Sequence, residues 1–132
     1  MPSRDPQSAL DAFLSADPDR PKETRTLHVQ SLGSDITVRE IDDKELQFVQ
    51  ERSESKKLSA LDMNAEIIAV AMVDPDLNDE AVHKKFSEKY GRHVAPAEIV
   101  KDVLKPFEVI KIGEQVLDLS GAGDDAVTTA GN

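Results

Sequence analysis

A chain of 132 residues is long enough to bury one modest core. Its formal net charge of −10 opposes whole-surface binding to DNA, RNA or anionic lipid, because phosphate groups need a positive field. The absence of cysteine excludes disulfides, thiol nucleophiles and thiolate metal sites, while four Phe, one Tyr and no Trp leave little for stacking on bases or sugars. The longest apolar run, residues 67–73, is too short to cross a bilayer, and the polar, proline-bearing N-terminus reads as no secretion signal. A cytosolic protein is expected.

Residues 1–23 read as a flexible arm. Within it, 8–16 predicts a short helix with Leu10, Phe13 and Leu14 on one side, ended by Asp17-Pro18 and Arg20-Pro21. Residues 24–30 and 35–41 then alternate, placing Leu27 and Val29 on one face and Ile36 and Val38 on the matching face. The connection Ser31-Leu32-Gly33-Ser34 puts glycine where a positive φ is needed, so the pair predicts a β-hairpin. A lone hairpin is marginal in water, so its apolar face must pack on helices or on another chain.

Helix starts follow one design. Asp42 as N-cap and Glu45 at N3 form a capping box, with Ile41 stapled onto Leu46, and the helix runs over 43–53. Residues 52–59, rich in Ser, Glu and Lys, read as a linker or frayed end. Residues 62–73 predict a central, all-round apolar helix with Asp62 as cap and Pro75 as stop, although periodicity does not separate a buried strand from a buried helix here. Asn78 caps a helix over 79–90, Leu77 staples onto Val82, and Gly91 closes the end. In the next start proline stands at N1, Glu98 at N3 and Val94 packs on Ile99, giving a helix over 96–105 whose cap, Ala95, is poor. Pro106 breaks the chain before a helix over 107–119 with Val109, Ile112, Val116 and Leu119 in register, closed by Gly121. Residues 122–132 are small and polar and predict a disordered tail. No internal repeat is present. The expected fold is α+β and mainly α: a small β-hairpin near the N-terminus, then about five helices forming one unit over 24–121.

Tempting chemistry does not hold up. Asp74, Asp76 and Asn78 imitate the start of a calcium-binding loop, but Asp79 stands where glycine is required and Lys85 where a bidentate glutamate is required. His28, His83 and His93 form no HExxH pair. The acid pairs Asp42-Asp43 and Asp79-Glu80 are accounted for by helix N-termini. No nucleophile elbow or phosphate-binding glycine loop is present, so no enzyme, cofactor or metal is expected. One alternative is a helix-turn-helix over 80–105, where Lys84, Lys85, Lys89, Arg92, Lys101 and Lys105 outnumber Glu88, Glu98 and Asp102. Glu98 and Asp102 stand where base and phosphate contacts are needed, and the whole-chain acidity opposes approach to DNA.

The order of features over 24–121 resembles the XkdN-like tail assembly chaperones of long-tailed phages. The resemblance is carried by the SLGSDITV hairpin, the AEIIAVAMVDPDLND stretch, PAEIVKDVLKPFEV and the closing IGEQVLDLSG. It implies a mainly helical protein in the host cytoplasm that binds the tape measure protein, keeps it soluble until the tail tube polymerises around it, and is absent from the finished virion. It further implies contacts with a frameshifted longer form of the chain, with the tail tube protein, or with copies of itself, and none with nucleic acid or membrane. The apolar faces expected to contribute a partner groove are Leu27, Val29, Ile36 and Val38 on the hairpin, and Phe107, Val109, Ile112 and Val116 on the last helix. The competing expectation is that both faces are ordinary core.

Overall fold

In the computed structural model, which describes residues 6–130, the alternating segments pair as an antiparallel hairpin. Strand β1 (Thr24–Val29) and strand β2 (Ser34–Arg39) are joined by a 3-10 turn (Gln30–Leu32) and by Gly33 at φ 61°, the left-handed conformation the turn requires. Leu27 stands opposite Ile36, so the apolar faces coincide. The other face is polar, with Thr26 bonded to Thr37 (3.1 Å) and His28 to Asp35 (2.8 Å). Of the predicted arm and tail, residues 1–5 and 131–132 lie outside the described residues.

The helices are α1 (Pro6–Ser15), α2 (Asp43–Lys56), α3 (Ala60–Ala71), α4 (Glu80–Tyr90), α5 (Pro96–Val103) and α6 (Pro106–Leu117). Helix α3 runs through the centre, packed on α2, α5, α6 and the sheet, and Ala65, Ile67, Ile68 and Ala71 are buried. The fold is thus mainly α with a small sheet near the N-terminus, five of the helices following the hairpin.

Several boundaries differ from the sequence reading, each for a local reason. The hairpin is part of a three-stranded sheet, because residues 72–74 leave the central helix as strand β3 (Met72–Asp74) and pair antiparallel with β2. Asp74 precedes Pro75 and so disfavours helical φ/ψ, and the open edge of β2 supplies backbone partners. The cap of α3 is Ser59, whose side chain accepts the N–H of Asp62, and Asp62 instead pairs with Lys101. The supposed linker is mostly helix: α2 continues to Lys56, and Arg52 reaches across to Glu66 (2.8 Å). The α4 cap is Asp79 rather than Asn78, because the Asn78 N–H is taken by the Asp76 carboxylate (2.9 Å) and the Ala81 N–H by Asp79 (2.8 Å). Helix α5 stops at Val103, since Leu104 two residues before Pro106 turns extended, and α6 takes Pro106 at N1. After Leu117 the helical path widens into a π-type turn (Asp118–Ala122) that is broken at Gly121, which closes it at φ 98°. There the Ser120 hydroxyl donates to the Val116 carbonyl (2.7 Å) and accepts the Ile41 N–H (2.9 Å), docking the end of α6 against the start of α2.

The capping box of α2 forms as predicted, with Asp42 accepting the Glu45 N–H (2.9 Å) and Glu45 accepting the Asp42 N–H (3.1 Å). At α5 only half a box exists: Glu98 accepts the Ala95 N–H (3.0 Å), but the alanine returns nothing.

Candidate functional site

The hairpin tip, β3, α4 and α5 meet around an open cleft of about 140 Å³ whose lining is apolar throughout. Leu32 and Ile36 come from the hairpin, Met72 and Pro75 from β3 and its exit, Val82 and Phe86 from α4, and Ile99, Val100 and Val103 from α5. Two local turns complete it. The turn at Asp76, which fixes the Asn78 N–H, delivers Leu77 inward, and the break before Pro106 turns Leu104 inward. Leu32 and Val103 sit at the mouth and are each 42% exposed.

The hairpin tip is tied to the start of α6. Ser31 donates to the Glu108 carboxylate (2.7 Å), which also accepts the Lys105 N–H (2.8 Å). These bonds, the backbone one first, hold the Glu108 carboxyl below its ordinary range. Phe107, next to Glu108 and three residues beyond Leu104, is 75% exposed. An apolar cleft and an exposed aromatic thus stand on an otherwise strongly acidic chain.

Such a site has no group to transfer a proton, attack a carbon or ligate an ion. It can accept an apolar side chain: a void of roughly 150 Å³ holds a benzene ring, and burying one large apolar side chain contributes about 1.5–3 kcal/mol. Among the described residues no group of three or more His, Cys, Asp or Glu is placed to hold a metal, and no helix is long and apolar enough to cross a membrane.

The residues expected to form a partner groove are placed unequally. Val29, Ile36, Val38, Val109, Ile112 and Val116 are buried in the core, and Leu27 is half-buried against it. Ile36 also touches the floor of the cleft, and Phe107 stands free at the surface. The mouth and most of the walls, Leu32, Met72, Leu77, Val82, Phe86, Val103 and Leu104, were absent from that set. One signal for them was available in the sequence: Leu32, a large apolar residue in the middle of a turn, has no core role to perform there.

The basic side chains of the helix-turn-helix reading are partly spent within the protein. Lys89 binds Asp102 (2.8 Å), Arg92 binds Glu98 (3.2 Å) and Lys101 pairs with Asp62. Asp102 also accepts from Tyr90 (2.5 Å), and the two donors, Lys89 first, hold its carboxyl below the ordinary range. The rings of His83 and His93 stack at 5.6 Å, closing the space between α4 and the start of α5.

Comparison with curated proteins and with solved structures finds no match. A family model for phage XkdN-like tail assembly chaperone proteins matches residues 10–128, a span that contains every element of the sheet, the whole cleft and Phe107. A non-reactive apolar cleft and this match over nearly the full chain point the same way: the chain belongs to the XkdN-like phage tail assembly chaperone family.

Proposed function

We propose that this chain binds the tape measure protein of its phage in the host cytoplasm, keeps that long helical client from aggregating, and leaves before the virion is complete. The observation that carries the reading is the wholly apolar cleft, open at Leu32 and Val103, on a chain of net charge −10. A helix that displays an apolar stripe offers one knob per turn or two, and one knob fits the cleft. A single knob contributes only about 1.5–3 kcal/mol, so one copy holds weakly and many copies along one client hold it soluble yet release it readily. The net negative charge keeps the coated client from clumping. The protein performs no catalysis in this role.

Of the sequence-derived contact residues, Phe107 is exposed on the folded surface and Leu27 is half-buried against the core. Val29, Ile36, Val38, Val109, Ile112 and Val116 act from beneath, holding the hairpin and α6 in place. Co-expression with the tape measure protein tests the proposal: the client is recovered soluble and bound to this chain. Equal insolubility of the client with and without the chain would overturn it.

A further inference from the structure

The two edges of the sheet are finished differently. Strand β3 is three residues long, pairs through a register shift at Thr37 and Val38, and runs straight into Pro75, features that close an edge to further pairing. Strand β1 has none of them. Its six residues pair with β2 in unbroken register, without proline or bulge, and no strand lies on its other side.

The alternation of the ladder fixes what that edge presents. The Glu40 N–H donates to the Glu23 carbonyl (2.9 Å) in the same register, so the pairs that exchange bonds are Glu23 with Glu40, Arg25 with Val38, and Leu27 with Ile36. Thr24, Thr26 and His28 therefore turn their N–H and C=O groups outward. All three residues are exposed, and among the described residues no other group bonds to these outward backbone atoms. Such a row over about 17–20 Å is a template for one more strand.

Helix α6 runs along the flank of this edge. Ser31 at the tip binds Glu108, and Arg25 near the base binds Gln115 (2.5 Å) and Asp118 (3.0 Å). Carboxylates outnumber cations on that flank: Glu108, Glu114 and Asp118, with Asp124 of the tail sharing a hollow with the last two, stand against Arg25 and Lys111. The chain's own tail is a poor occupant. It turns back on itself, with the Ala126 N–H on the Gly123 carbonyl (3.1 Å), and it brings Asp124 and Asp125 to a surface already negative. A second copy adds another net charge of −10 to the contact. A basic segment has neither fault.

We propose that the outer edge of β1 takes an extended, basic segment of a partner protein as a fourth strand. Backbone bonds to Thr24, Thr26 and His28 set its register. Its side chains alternate: apolar β-branched ones pack beside the half-buried Leu27, polar ones line up with Thr26, and lysine or arginine meets the carboxylates of α6. The apolar cleft is walled by β2, β3, α4 and α5, so the two surfaces share no residue.

The probe is a blocked peptide of alternating threonine and valine with a lysine at each end, N-methylated along one edge so that it cannot stack on itself. On titration into the full chain, the backbone amide NMR signals of Thr24, Thr26 and His28 are expected to shift together and saturate. Their hydrogen exchange is expected to slow several-fold, while that of Arg25 and Leu27, bonded to β2 already, changes little. Glutamate in place of both lysines is expected to weaken binding several-fold at low salt, a difference that closes at high salt. Thr26→Pro removes an outward donor and spares the β2 ladder, so binding is expected to vanish with the fold retained. A peptide N-methylated along both edges is expected not to bind the wild type, a control that needs no variant. No shift at millimolar peptide, binding of the doubly methylated peptide, undiminished binding to Thr26→Pro, or a preference for the glutamate peptide would each overturn the proposal. So would protection of Thr26 and His28 that rises with protein concentration in the absence of peptide, which gives the edge to a second copy. None of these outcomes bears on the cleft or on the client co-expression result.

Discussion

The backbone of Gly113 in α6 lies against Asn64 in α3, so closely that a Cβ on the glycine would stand 2.0 Å from Asn64 Oδ1 and 3.1 Å from its Cβ. The two helices at the centre of the fold approach one another because residue 113 has no side chain. Asn64 is held in that position by its amide, which donates to the Ala60 carbonyl (2.9 Å). Gly113→Ala gains about 1 kcal/mol of helix propensity but must turn the Asn64 side chain away from its bond to Ala60 and press its Cβ back by a few tenths of an ångström, and overpacking of this kind costs about 1–3 kcal/mol. The substitution is expected to lower the urea midpoint. Adding Asn64→Ala removes the obstruction, so the double variant is expected to recover to wild-type stability or above. A destabilisation that Asn64→Ala does not relieve would place its cause elsewhere.

Helix α5 begins on a residue that cannot cap. Ala95 has the extended φ and ψ of an N-cap (−70°, 150°) and already gives its N–H to Glu98, so a hydroxyl or carboxylate at this position completes the box. Ala95→Ser or Ala95→Asp is expected to stabilise the protein by about 1 kcal/mol, raising Tm by a few degrees. An unchanged or lower Tm would mean the α5 start is not as described.

Acid should loosen the joint between sheet and helices. Glu45 receives both nitrogens of the Arg39 fork (2.8 and 2.6 Å), the Asp42 N–H and the Lys22 ammonium. Arg39 also donates to the carbonyl of Val70, so β2, α2 and α3 meet at this pair. The Arg39 guanidinium, ahead of the backbone and Lys22 bonds and against partial burial, lowers the Glu45 carboxyl from 4.5 to about 2. A carboxyl with its folded pKa depressed stabilises the fold above the unfolded pKa and ceases to do so as pH falls through the folded one. Stability linked to Glu45 is therefore present above about pH 4.5 and lost on the way to about pH 2. Glu45→Gln is expected to cost about 2 kcal/mol at pH 7, with the gap to wild type closing over that window. Urea titrations at pH 7, 4 and 3 measure it, and a gap that stays constant with pH would contradict the assignment.

Phe107 offers a test of the proposed client contact that is separate from folding. Its ring is largely in solvent, so Phe107→Asp is expected to change stability by no more than about 0.5 kcal/mol. As part of the proposed client contact, the same change is expected to cut the soluble yield of co-expressed tape measure protein several-fold. Thermal melts and client yield, measured together, check both halves. Undiminished client yield would remove Phe107 from the contact.

Local signals in the sequence were sufficient wherever a residue's role is decided by its near neighbours. Asp42 and Glu45 specify their capping box, Gly33 its turn, and Leu27 and Ile36 their facing positions, because each contact lies within a few residues or across one hairpin. Residues 72 and 73 were misread as helix because this stretch becomes a strand only where the edge of β2 is waiting for it. The Ser59 and Asp62 caps, and those at Asn78 and Asp79, differ by a few residues of the same chemistry, and the choice is settled by tertiary bonds such as Asp62–Lys101. The cleft was hidden for a stronger reason. Val38 and Phe107 are both apolar residues in regular elements, yet one is fully buried and the other exposed, and nothing in either local pattern records which. A surface made by the hairpin tip, β3, α4 and α5 exists only once those four are assembled.

The central claim is that a client helix docks in the apolar cleft, and side-chain methyl NMR of this protein observes that directly. On titration with a soluble helical segment of the tape measure protein, the methyl signals of Leu32, Val82, Val103 and Leu104 should shift together and saturate, while those of the remote Val49 and Val116 stay fixed. Saturating shifts confined to another face, or no shifts at client concentrations that keep it soluble, would contradict the account.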